Sequence, residues 1–588
     1  MTPDELVHRM QEDPWSWLWS TMIQVELFRL LPSLWDSIGK KEKKVLAELI
    51  LAGPPQNRFR DDIEHDEWVE LRDGEIWDRL IRLSQSSAPL VEEARARLDE
   101  ISEEYPEWEL TGSDKEDFPG WSEARYGYDT DISASELAGL PPIEQLEVLL
   151  SGRHYRDGRL SVWEGLVMDE PNCAFPLIDS MVDSGDIDQR VLAATFRGIA
   201  SSESRTPELL GRVLAVAEAI PQDAWGSGIH PFARTVKSLF EQNYSEMLAE
   251  VLQLWDNAIT PALRSTFDSD SRDLLTQGIN HPAGVLTEAL IELVRSETRD
   301  QGSEVPDSIK TRLESFLPST GHRSGQVGSV AARVIIYFKL SLLHESSADW
   351  TAENIVPLFD WQNPEEAAVA WQGFLASPRI APELWSNLRP HFLDAFDNYE
   401  TIGHRRTKLP ERLAAVYISG YPLTDAEAMQ CLRKAGAAGE TGLVSTANFL
   451  GELLTGAGDK ASQFWTDKVG NFFRRVWPRD EDLQTPRLTL YIAVAAVRSG
   501  EAFPDAVDAV TPLLSKLQDP SYALRKIADS THPDQYPSQT LTLIDTLIAD
   551  QASLRQTQLP GILQRVQEAG VDPDDEGYNR LLEASRRG

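Results

Sequence analysis

Cysteine is nearly absent from this sequence. Among 588 residues only Cys173 and Cys431 occur, and neither has a second cysteine nearby. Two isolated thiols exclude a disulfide framework and a cysteine-rich zinc module. Low cysteine content is typical of a reducing cytoplasm, and the first residues lack the basic stretch of a secretory signal. We therefore expect a cytoplasmic protein.

Long apolar runs are also missing. The apolar stretch between Trp15 and Leu31 is interrupted by Gln24, Glu26 and Arg29. A membrane-spanning helix needs about 20 consecutive, mostly apolar residues, and no uninterrupted run of that kind occurs elsewhere in the sequence. The sequence therefore predicts a chain that does not span a membrane.

Positive charge is scarce as well. The chain carries 56 Lys and Arg residues against 94 Asp and Glu residues, a formal net charge of −38. A field of this sign repels phosphate backbones and anionic lipid surfaces. The balance therefore disfavours a membrane partner and nucleic acid bound through bulk charge, but it is compatible with a protein partner or a local basic pocket.

Apolar residues at helical spacing are abundant. Val236, Phe240, Met247, Val251 and Leu254 recur at three-, four- and seven-residue steps, which places them on one face of a helix and does not suit a strand. Similar stripes follow along the chain, separated by short loops with proline and glycine. The pattern predicts an all-α protein, an irregular helical-hairpin (HEAT-like) array that is extended or curved, preceded by an N-terminal helical unit.

Local signals support this prediction. Thr206 before Pro207 is typical of a helix start, and Thr424 with Glu427 has the spacing of a capping box. The best short strand candidate, 333–338, continues into a further apolar stretch, so we interpret it as a buried helix.

Composition also predicts how the chain is organised. Acidic, aromatic and turn-forming residues accumulate before residue 134, and glycine, serine, proline and charge accumulate again near residue 310. The predicted segments are an N-terminal helical unit over 1–100, an acidic aromatic loop or linker over 101–133, a helical array over 134–300, a loop-rich connection over 301–330, the continued array over 331–570 and a polar tail over 571–588.

The sequence contains no recognisable catalytic motif. The glycine-rich segment 451–460 misplaces its lysine for a phosphate loop, so we interpret it as a helix end and turn. The serine of 321–325 lies one residue too late for a nucleophile elbow, and the ten histidines lack metal-site spacing. We assign no catalytic residue, no cofactor and no metal, and an enzyme with an Asp, Glu and His site of no known motif remains an alternative.

A dense group of tryptophans lies near the N-terminus. On an α-helix Trp15 and Trp19 share one face, whereas Trp17 points to nearly the opposite side. Either these rings form a docking surface for a partner, or their helix is buried on several sides. We retain all three as candidate partner-binding residues.

A second candidate is the basic cluster His404, Arg405 and Arg406. Such a cluster binds a phosphate or an acidic patch of a partner, or it places positive charge at the end of a helix, where the helix dipole favours it. We interpret the cluster mainly as helix-terminal charge and keep it as a candidate partner-binding site.

Three short segments carry a family resemblance: 51–55 (Leu-Ala-Gly-Pro-Pro), 105–121 with its Tyr-Pro-Glu-Trp and Phe-Pro-Gly-Trp ends, and 280–284 (Asn-His-Pro-Ala-Gly). They resemble the long C-terminal helical region, of unassigned function, of bacterial anti-phage defence proteins with sirtuin-type NADase domains. The resemblance implies a helical part that senses a phage component and restrains or assembles the NADase. No Rossmann strand with Gly-x-Gly is present, so no catalytic residue is carried over, and the effector would be a separate polypeptide or an absent segment.

The histidine of the third segment also has a purely structural interpretation. His281 lies between two apolar stripes and directly precedes Pro282, an arrangement typical of a cap and turn before a helix. We favour that interpretation over a catalytic histidine.

These observations predict a non-catalytic helical scaffold or sensor subunit of a prokaryotic multi-protein system, with antiviral defence as its setting. Aromatic and arginine anchors on the array would bind a protein partner, either a separate effector subunit or a phage component. Besides the enzyme, the alternative is a nucleic-acid-binding helical repeat, which requires a continuous basic face.

Overall fold

The protein is helical throughout the part of the chain that the structure describes. Every regular element there is a helix, and the one β-feature is an isolated bridge between Leu517 and Ile548. The predicted all-α fold is confirmed. The computed structural model describes residues 3–19, 24–55, 65–85, 89–106, 108, 130–151, 156–240, 247–266, 273–301, 305–318, 327–377, 380–549, 552 and 558–587.

The chain divides into two compact units, Met1–Gly127 and Tyr128–Gly588. The division falls inside the segment for which the sequence predicts a loop or linker. The first unit has its own apolar core, in which Met10, Leu31 and Leu80 are fully buried. Its helices are Pro3–Glu12, the π-helical turn Trp15–Trp19, Gln24–Leu34, the 3₁₀ turn Trp35–Ser37, Lys40–Leu51, His65–Gln85 and Glu92–Glu104.

The second unit contains many short helices joined by tight loops. Its α-helices are Ala134–Ala138, Pro142–Leu150, Arg156–Asp169, Phe175–Ser184, Gln189–Ser201, Pro207–Ala219, Ile229–Phe240, Leu248–Arg264, Leu274–Asn280, Pro282–Gln301, Asp307–Glu314, Val327–Phe338, Leu340–Ser346, Ala348–Asn354, Pro364–Ala376, Pro382–Asp394, Lys408–Ile418, Asp425–Ala437, Glu440–Ala457, Ala461–Phe464, Gly470–Arg475, Pro486–Val497, Phe503–Val510, Ser521–Ala528, His532–Gln535, Pro537–Leu547, Leu559–Glu568 and Glu576–Arg587. Its 3₁₀ and π turns are Pro171–Ala174, Gly226–Gly228, Val356–Phe359, Gly403–Arg405, Gly458–Lys460, Trp465–Val469, Glu481–Leu483, Gly500–Ala502 and Thr511–Leu513.

These helices stack in two rows, and each helix of the first row packs against the next. The first row is Arg156–Asp169, Gln189–Ser201, Ile229–Phe240, Pro282–Gln301, Val327–Phe338, Pro364–Ala376, Lys408–Ile418, Glu440–Ala457, Pro486–Val497, Ser521–Ala528 and Leu559–Glu568. The second row begins with Pro142–Leu150, Phe175–Ser184, Pro207–Ala219 and Leu248–Arg264, and ends with Gly470–Arg475, Phe503–Val510, Pro537–Leu547 and Glu576–Arg587. Because the repeats differ in length, the structure is an irregular helical-hairpin array.

One continuous core runs through this array, from Leu137 to Leu581. The core continues from one side of the predicted connection over 301–330 to the other, because helices Pro282–Gln301 and Val327–Phe338 pack directly against each other. Stacking of this kind buries the apolar stripe of each helix against its neighbours. The array is therefore stabilised mainly by contacts between adjacent repeats.

The local predictions are also confirmed. The Thr206 hydroxyl accepts a hydrogen bond from the backbone N–H of Leu209, and Thr424 forms the full capping box with Glu427. Residues 333–338 are helical, as interpreted. Helix Glu440–Ala457 ends at Gly458, whose φ of 53° is one that glycine adopts readily.

Ion pairs join successive repeats on the surface of the array. Arg197 donates from Nε to Glu164 at 2.7 Å, and Glu288 accepts from both Lys237 and Lys339, at 2.6 and 2.9 Å. The Arg197–Glu164 pair is largely exposed, and exposed pairs contribute about 0–1 kcal/mol each, whereas Glu288 and Lys339 are each only 19% exposed. Further pairs of this type are Arg212–Asp179, Arg312–Asp256, Lys434–Asp397, Arg433–Asp480, Arg498–Glu452 and Arg565–Asp534.

Within the described ranges, no single helix is long and apolar enough to cross a membrane. Helices Val327–Phe338 and Leu340–Ser346 reach the required length and composition only when joined, across a bend of 63°. Both belong to the stacked array, and their buried side chains lie in its core.

Candidate functional site

The three N-terminal tryptophans form a π-helical turn instead of an α-helical one. Trp19 is buried, and the Arg79 guanidinium lies 4.7 Å from the centre of its ring. Trp15 and Trp17 are half-buried against the core of the first unit. A π turn is wider than an α turn, so the α-helical geometry that assigns Trp17 to an opposite face does not apply. None of the three rings is fully exposed, and a docking role for them stays a prediction.

Arg405, in the basic cluster, binds a carboxylate of its own chain. Its Nε donates to Oδ1 of Asp273 at 2.9 Å, and its Nη2 donates to the other carboxylate oxygen. Asp273 in turn caps helix Leu274–Asn280 and accepts from the Thr276 hydroxyl at 2.9 Å. Burial alone would raise the pKa of Asp273, but the hydrogen bonds from Arg405 and Thr276 outweigh it and hold that pKa below its ordinary value. Arg405 therefore has a structural role.

The two neighbours of Arg405 differ in environment. His404 is exposed, and Arg406 is half-buried near Tyr399. Burial raises the pKa of Tyr399 to about 12, although the charge of Arg406 opposes this change. The structure therefore does not present the three residues as one basic patch, and partner binding by His404 and Arg406 stays a prediction.

The Asn-His-Pro-Ala-Gly segment is a tight helix junction. His281 caps the following helix, with its Nδ1 accepting from the backbone N–H of Ala283 at 3.1 Å. Gly284 lies so close to the preceding helix that a Cβ there would clash with the carbonyl oxygen of Gly278. Burial lowers the pKa of His281, which is therefore neutral at pH 7. The cap-and-turn interpretation is confirmed.

Other segments singled out in the sequence carry no described site. The serine of 321–325 and the aromatic residues between 109 and 121 lie outside the described residues. Burial raises the pKa of the Cys173 thiol to about 11 and that of Cys431 to about 12, so neither is an activated nucleophile. The described part of the chain holds no group of three or more metal-ligating side chains.

A triad of polar side chains is buried inside the array. Nε of Arg333 donates to Oε1 of Glu366 at 2.9 Å, and the Tyr337 hydroxyl donates to the same oxygen at 2.5 Å. Burial raises the pKa of Tyr337, and the charge of Glu366 raises it further. Because all three side chains are almost completely buried, this triad ties helix Val327–Phe338 to helix Pro364–Ala376 and does not form an accessible site.

An open groove of about 1110 Å³ lies on the second unit. It is formed by helices Arg156–Asp169, Gln189–Ser201 and Ile229–Phe240, the C-terminal end of helix Leu248–Arg264 and the loop that precedes Ile229. The groove therefore crosses neighbouring repeats of the array. This volume exceeds the usual 300–1,000 Å³ or so of a small-molecule pocket.

The lining of the groove departs from the acidity of the whole chain. The full sequence has 56 basic and 94 acidic residues, whereas four arginines and two carboxylates line this groove. We call this surface the arginine groove. Its charged residues are Arg190, Arg197, Arg234, Arg264, Asp157 and Asp223.

Two of the four arginines form ion pairs within the chain. Arg190 donates from Nη2 to Asp188 at 2.9 Å, and Arg197 forms the ion pair with Glu164 that joins two successive repeats. Burial would raise the pKa of Asp188, but Arg190 and two backbone N–H groups lower it below its ordinary value. The charges of Arg190 and Arg197 are thus largely compensated.

Arg234 and Arg264 are different. Both are exposed, and neither forms an ion pair with a carboxylate of the described residues. His230 lies beside Arg234, with Nε2 2.7 Å from the carbonyl oxygen of Asn280. Burial lowers the pKa of His230, and the charge of Arg234 lowers it further. The hydrogen bond to Asn280 raises this pKa but does not outweigh the other two effects. The imidazole is therefore neutral at pH 7. The groove thus presents two arginines without an ion pair, Arg234 and Arg264, together with the carboxylates of Asp157 and Asp223.

The sequence prediction missed this groove. The local signals are the seven-residue spacing of Arg190 and Arg197 and the four-residue spacing of His230 and Arg234, each of which places two residues on one helix face. Nothing in the sequence connects these two pairs to each other or to Arg264, because the groove exists only after three repeats have stacked.

Comparison with known proteins assigns no activity to these features. No family model matches the sequence, and no solved structure matches it significantly. The chain is similar to "Uncharacterized protein y4cA" of Sinorhizobium fredii, with 23% identity over 603 residues. The alignment covers 97% of this chain and 48% of that protein, so the chain spans about half the length of this curated relative.

Proposed function

We propose that the chain is a non-catalytic helical scaffold or sensor subunit that holds a protein partner. The observation that carries this proposal is the arginine groove. In an acidic array where many basic side chains tie repeats together, Arg234 and Arg264 are left exposed beside a groove that crosses several repeats. Stacked helical pairs typically bind partners over extended surfaces, and arginine is enriched among the residues that dominate binding energy.

The biological setting that we propose is antiviral defence in the bacterial cytoplasm. It is supported by the resemblance of three segments to the helical region of anti-phage proteins with sirtuin-type NADase domains. The similar protein of Sinorhizobium fredii is about twice as long as the aligned region, so there a similar region is joined to further sequence. The partner would be an effector subunit or a phage component, and its binding would shift the assembly between resting and active states.

A nucleic-acid-binding repeat is the less favoured candidate. That function requires a basic face continuous enough to follow a phosphate backbone. The arginine groove contains Asp157 and Asp223 among its arginines, and the chain as a whole has a net charge of −38. No specific observation favours the enzyme alternative.

Purification of the native assembly tests the scaffold. The gene is tagged in its own host, and the protein is purified under gentle conditions before and during phage infection. We expect a second protein at a fixed ratio, identified by mass spectrometry, and a particle heavier than the 65.8 kDa of one chain. Recovery of the chain alone under both conditions would overturn the scaffold proposal.

A plating assay tests the setting separately. Deletion of the gene should raise the plating efficiency of at least one phage, and the wild-type gene should restore resistance. Unchanged plating across a broad phage panel would contradict the defence setting. It would not affect the scaffold proposal, which the purification tests.

A further inference from the structure

We infer that the arginine groove binds an acidic segment of a protein, with Arg234 and Arg264 donating to its side-chain carboxylates. This inference rests on the proposed function, because it names the chemistry by which the partner is recognised. It follows from three features of the described residues: the anchored backbone at the two arginines, their lack of a carboxylate partner, and the mixed polar lining around them.

The backbone that carries each arginine is held rigidly. Arg234 is flanked by Ala233 and Thr235, both fully buried. The Thr235 hydroxyl donates to the carbonyl oxygen of Phe196 at 2.7 Å, which fixes helix Ile229–Phe240 against helix Gln189–Ser201. Side chains carried by anchored helices present a defined geometry to a ligand and lose little freedom on binding. Arg234 therefore projects from a prearranged surface.

The backbone of Arg264 is anchored in a similar way. It is the last residue of helix Leu248–Arg264, and the two residues before it, Ala262 and Leu263, are buried. Two separately anchored guanidinium groups thus line one groove. Each has a planar fork of N–H donors that matches the two oxygens of a carboxylate.

The two arginines without an ion pair favour a segment that carries carboxylates. Arg190 and Arg197 already have carboxylate partners, whereas Arg234 and Arg264 form no ion pair among the described residues. An exposed, unpaired arginine in a chain with net charge −38 is attracted to a ligand carboxylate without first breaking an internal pair. The affinity is expected to fall as salt rises, because exposed charges are screened.

The lining favours a peptide over a nucleic acid. Gln189, Gln222 and Ser227 offer amide and hydroxyl groups to a peptide backbone, and Asp157 and Asp223 interrupt the positive charge. A peptide can place uncharged or basic residues against these two aspartates. A nucleic acid strand cannot, because every nucleotide carries a phosphate, and the net negative charge of the chain repels such a polyanion.

Fluorescence anisotropy with the full chain tests this inference. The probe is a fluorescein-labelled decapeptide in which glutamate alternates with serine. The comparison ligands are the same peptide with glutamine in place of glutamate and a labelled single-stranded DNA of ten nucleotides. The variants are R234E/R264E, the milder R234Q/R264Q, and the matched control R525E/R586E, which reverses two exposed arginines elsewhere in the second unit.

The inference predicts that the wild-type chain binds the glutamate peptide more tightly than the glutamine peptide or the DNA. R234E/R264E should weaken binding by about tenfold or more, since charge-assisted hydrogen bonds become repulsions. R234Q/R264Q should weaken it by a smaller factor, and R525E/R586E by less than about twofold. Both reversed pairs are exposed, and circular dichroism verifies that each variant remains helical.

Three results would overturn the inference: equal binding of the glutamate and glutamine peptides, equal losses in R234E/R264E and the control, or tighter binding of the DNA. A partner that co-purifies equally well with R234E/R264E would also overturn it while leaving the scaffold proposal intact. Conversely, selective peptide binding by a chain that purifies alone from its host would support the groove and contradict the scaffold.

Discussion

Arg405 and Asp273 form an ion pair across 132 positions of the sequence, with Nε donating to Oδ1 at 2.9 Å. Arg405 ends the 3₁₀ turn Gly403–Arg405, and Asp273 caps helix Leu274–Asn280. Most ion pairs of the array join neighbouring repeats, whereas this one joins segments with several helices between them. Helix Leu274–Asn280 and the turn Gly403–Arg405 both pack against helix Pro364–Ala376, and the ion pair joins these two segments directly.

Replacing Arg405 by methionine should loosen helix Leu274–Asn280. The Asp273 carboxylate is only 12% exposed, and removal of its guanidinium partner should cost about 1–3 kcal/mol at pH 7. Repeat arrays do not unfold in one step, so the measurement is hydrogen exchange of peptides covering 273–280. Unchanged exchange in R405M would contradict the proposed coupling.

The same pair predicts a pH dependence. The folded pKa of Asp273 is lowered, so its contribution to stability is fully present above the unfolded pKa of about 3.9 and is lost as pH falls through the folded pKa. Acidification through this window should therefore increase exchange at 273–280 more in the wild-type chain than in D273N/R405M. Identical acid profiles would show that the pair contributes nothing.

The buried triad should show strong non-additivity. Arg333 is only 1% exposed, and its guanidinium donates to the Glu366 carboxylate. Removal of that carboxylate in E366L should lower the stability by about 3–5 kcal/mol. The double variant R333M/E366L removes both charges and should recover part of that loss, while the buried Tyr337 hydroxyl still lacks its acceptor. Hydrogen exchange of peptides covering 327–338 and 364–376 compares the wild-type chain, R333M, E366L and R333M/E366L, and a double variant that exchanges faster than E366L would contradict this account of the triad.

Two glycine substitutions should have opposite effects. Alanine at Gly284 would place its Cβ against the carbonyl oxygen of Gly278, and the resulting overpacking should cost about 1–3 kcal/mol. Alanine at Gly211 meets no atom within 4 Å inside helix Pro207–Ala219 and should gain about 0.5–1 kcal/mol from helix propensity. Hydrogen exchange checks both directions: peptides covering 274–290 should exchange faster in G284A, and peptides covering 207–219 should exchange more slowly in G211A. Unchanged exchange in G284A would refute the helix-junction role of Gly284.

The two thiols should be unreactive in the folded protein. With the pKa of Cys173 at about 11 and that of Cys431 at about 12, less than about a hundredth of either is thiolate at pH 8, whereas an unfolded cysteine has a pKa near 8.5. An aromatic disulfide reagent at pH 8 should therefore react slowly with the native chain and rapidly after denaturation. Fast stoichiometric reaction of the native protein would show that the thiols are more accessible than the structure indicates.

Much of the fold could be predicted from the sequence because its signals are local. Thr206 before Pro207 and the Thr424–Glu427 capping box depend on residues within one helical turn, and both form as predicted. The apolar spacing around Val236 and Val251 likewise reports which face of a helix is buried, and both residues are fully buried. Such signals do not depend on distant parts of the chain.

The candidate site could not be predicted in the same way. Arg405 has its partner 132 residues away, so its structural role has no sign in the neighbouring sequence. The sequence predicts the face of Trp17 from α-helical geometry, and the π turn changes that geometry. Arg234 and Arg264 share a groove only because of how successive repeats stack, and that arrangement depends on unequal loop lengths and side-chain packing.

The most direct test of the scaffold account is a cryo-electron microscopy structure of the assembly purified from its own host. The account predicts a partner polypeptide on the second unit, with acidic side chains within hydrogen-bonding distance of Arg234 and Arg264. A chain with no partner, or a groove occupied by nucleic acid, would contradict it.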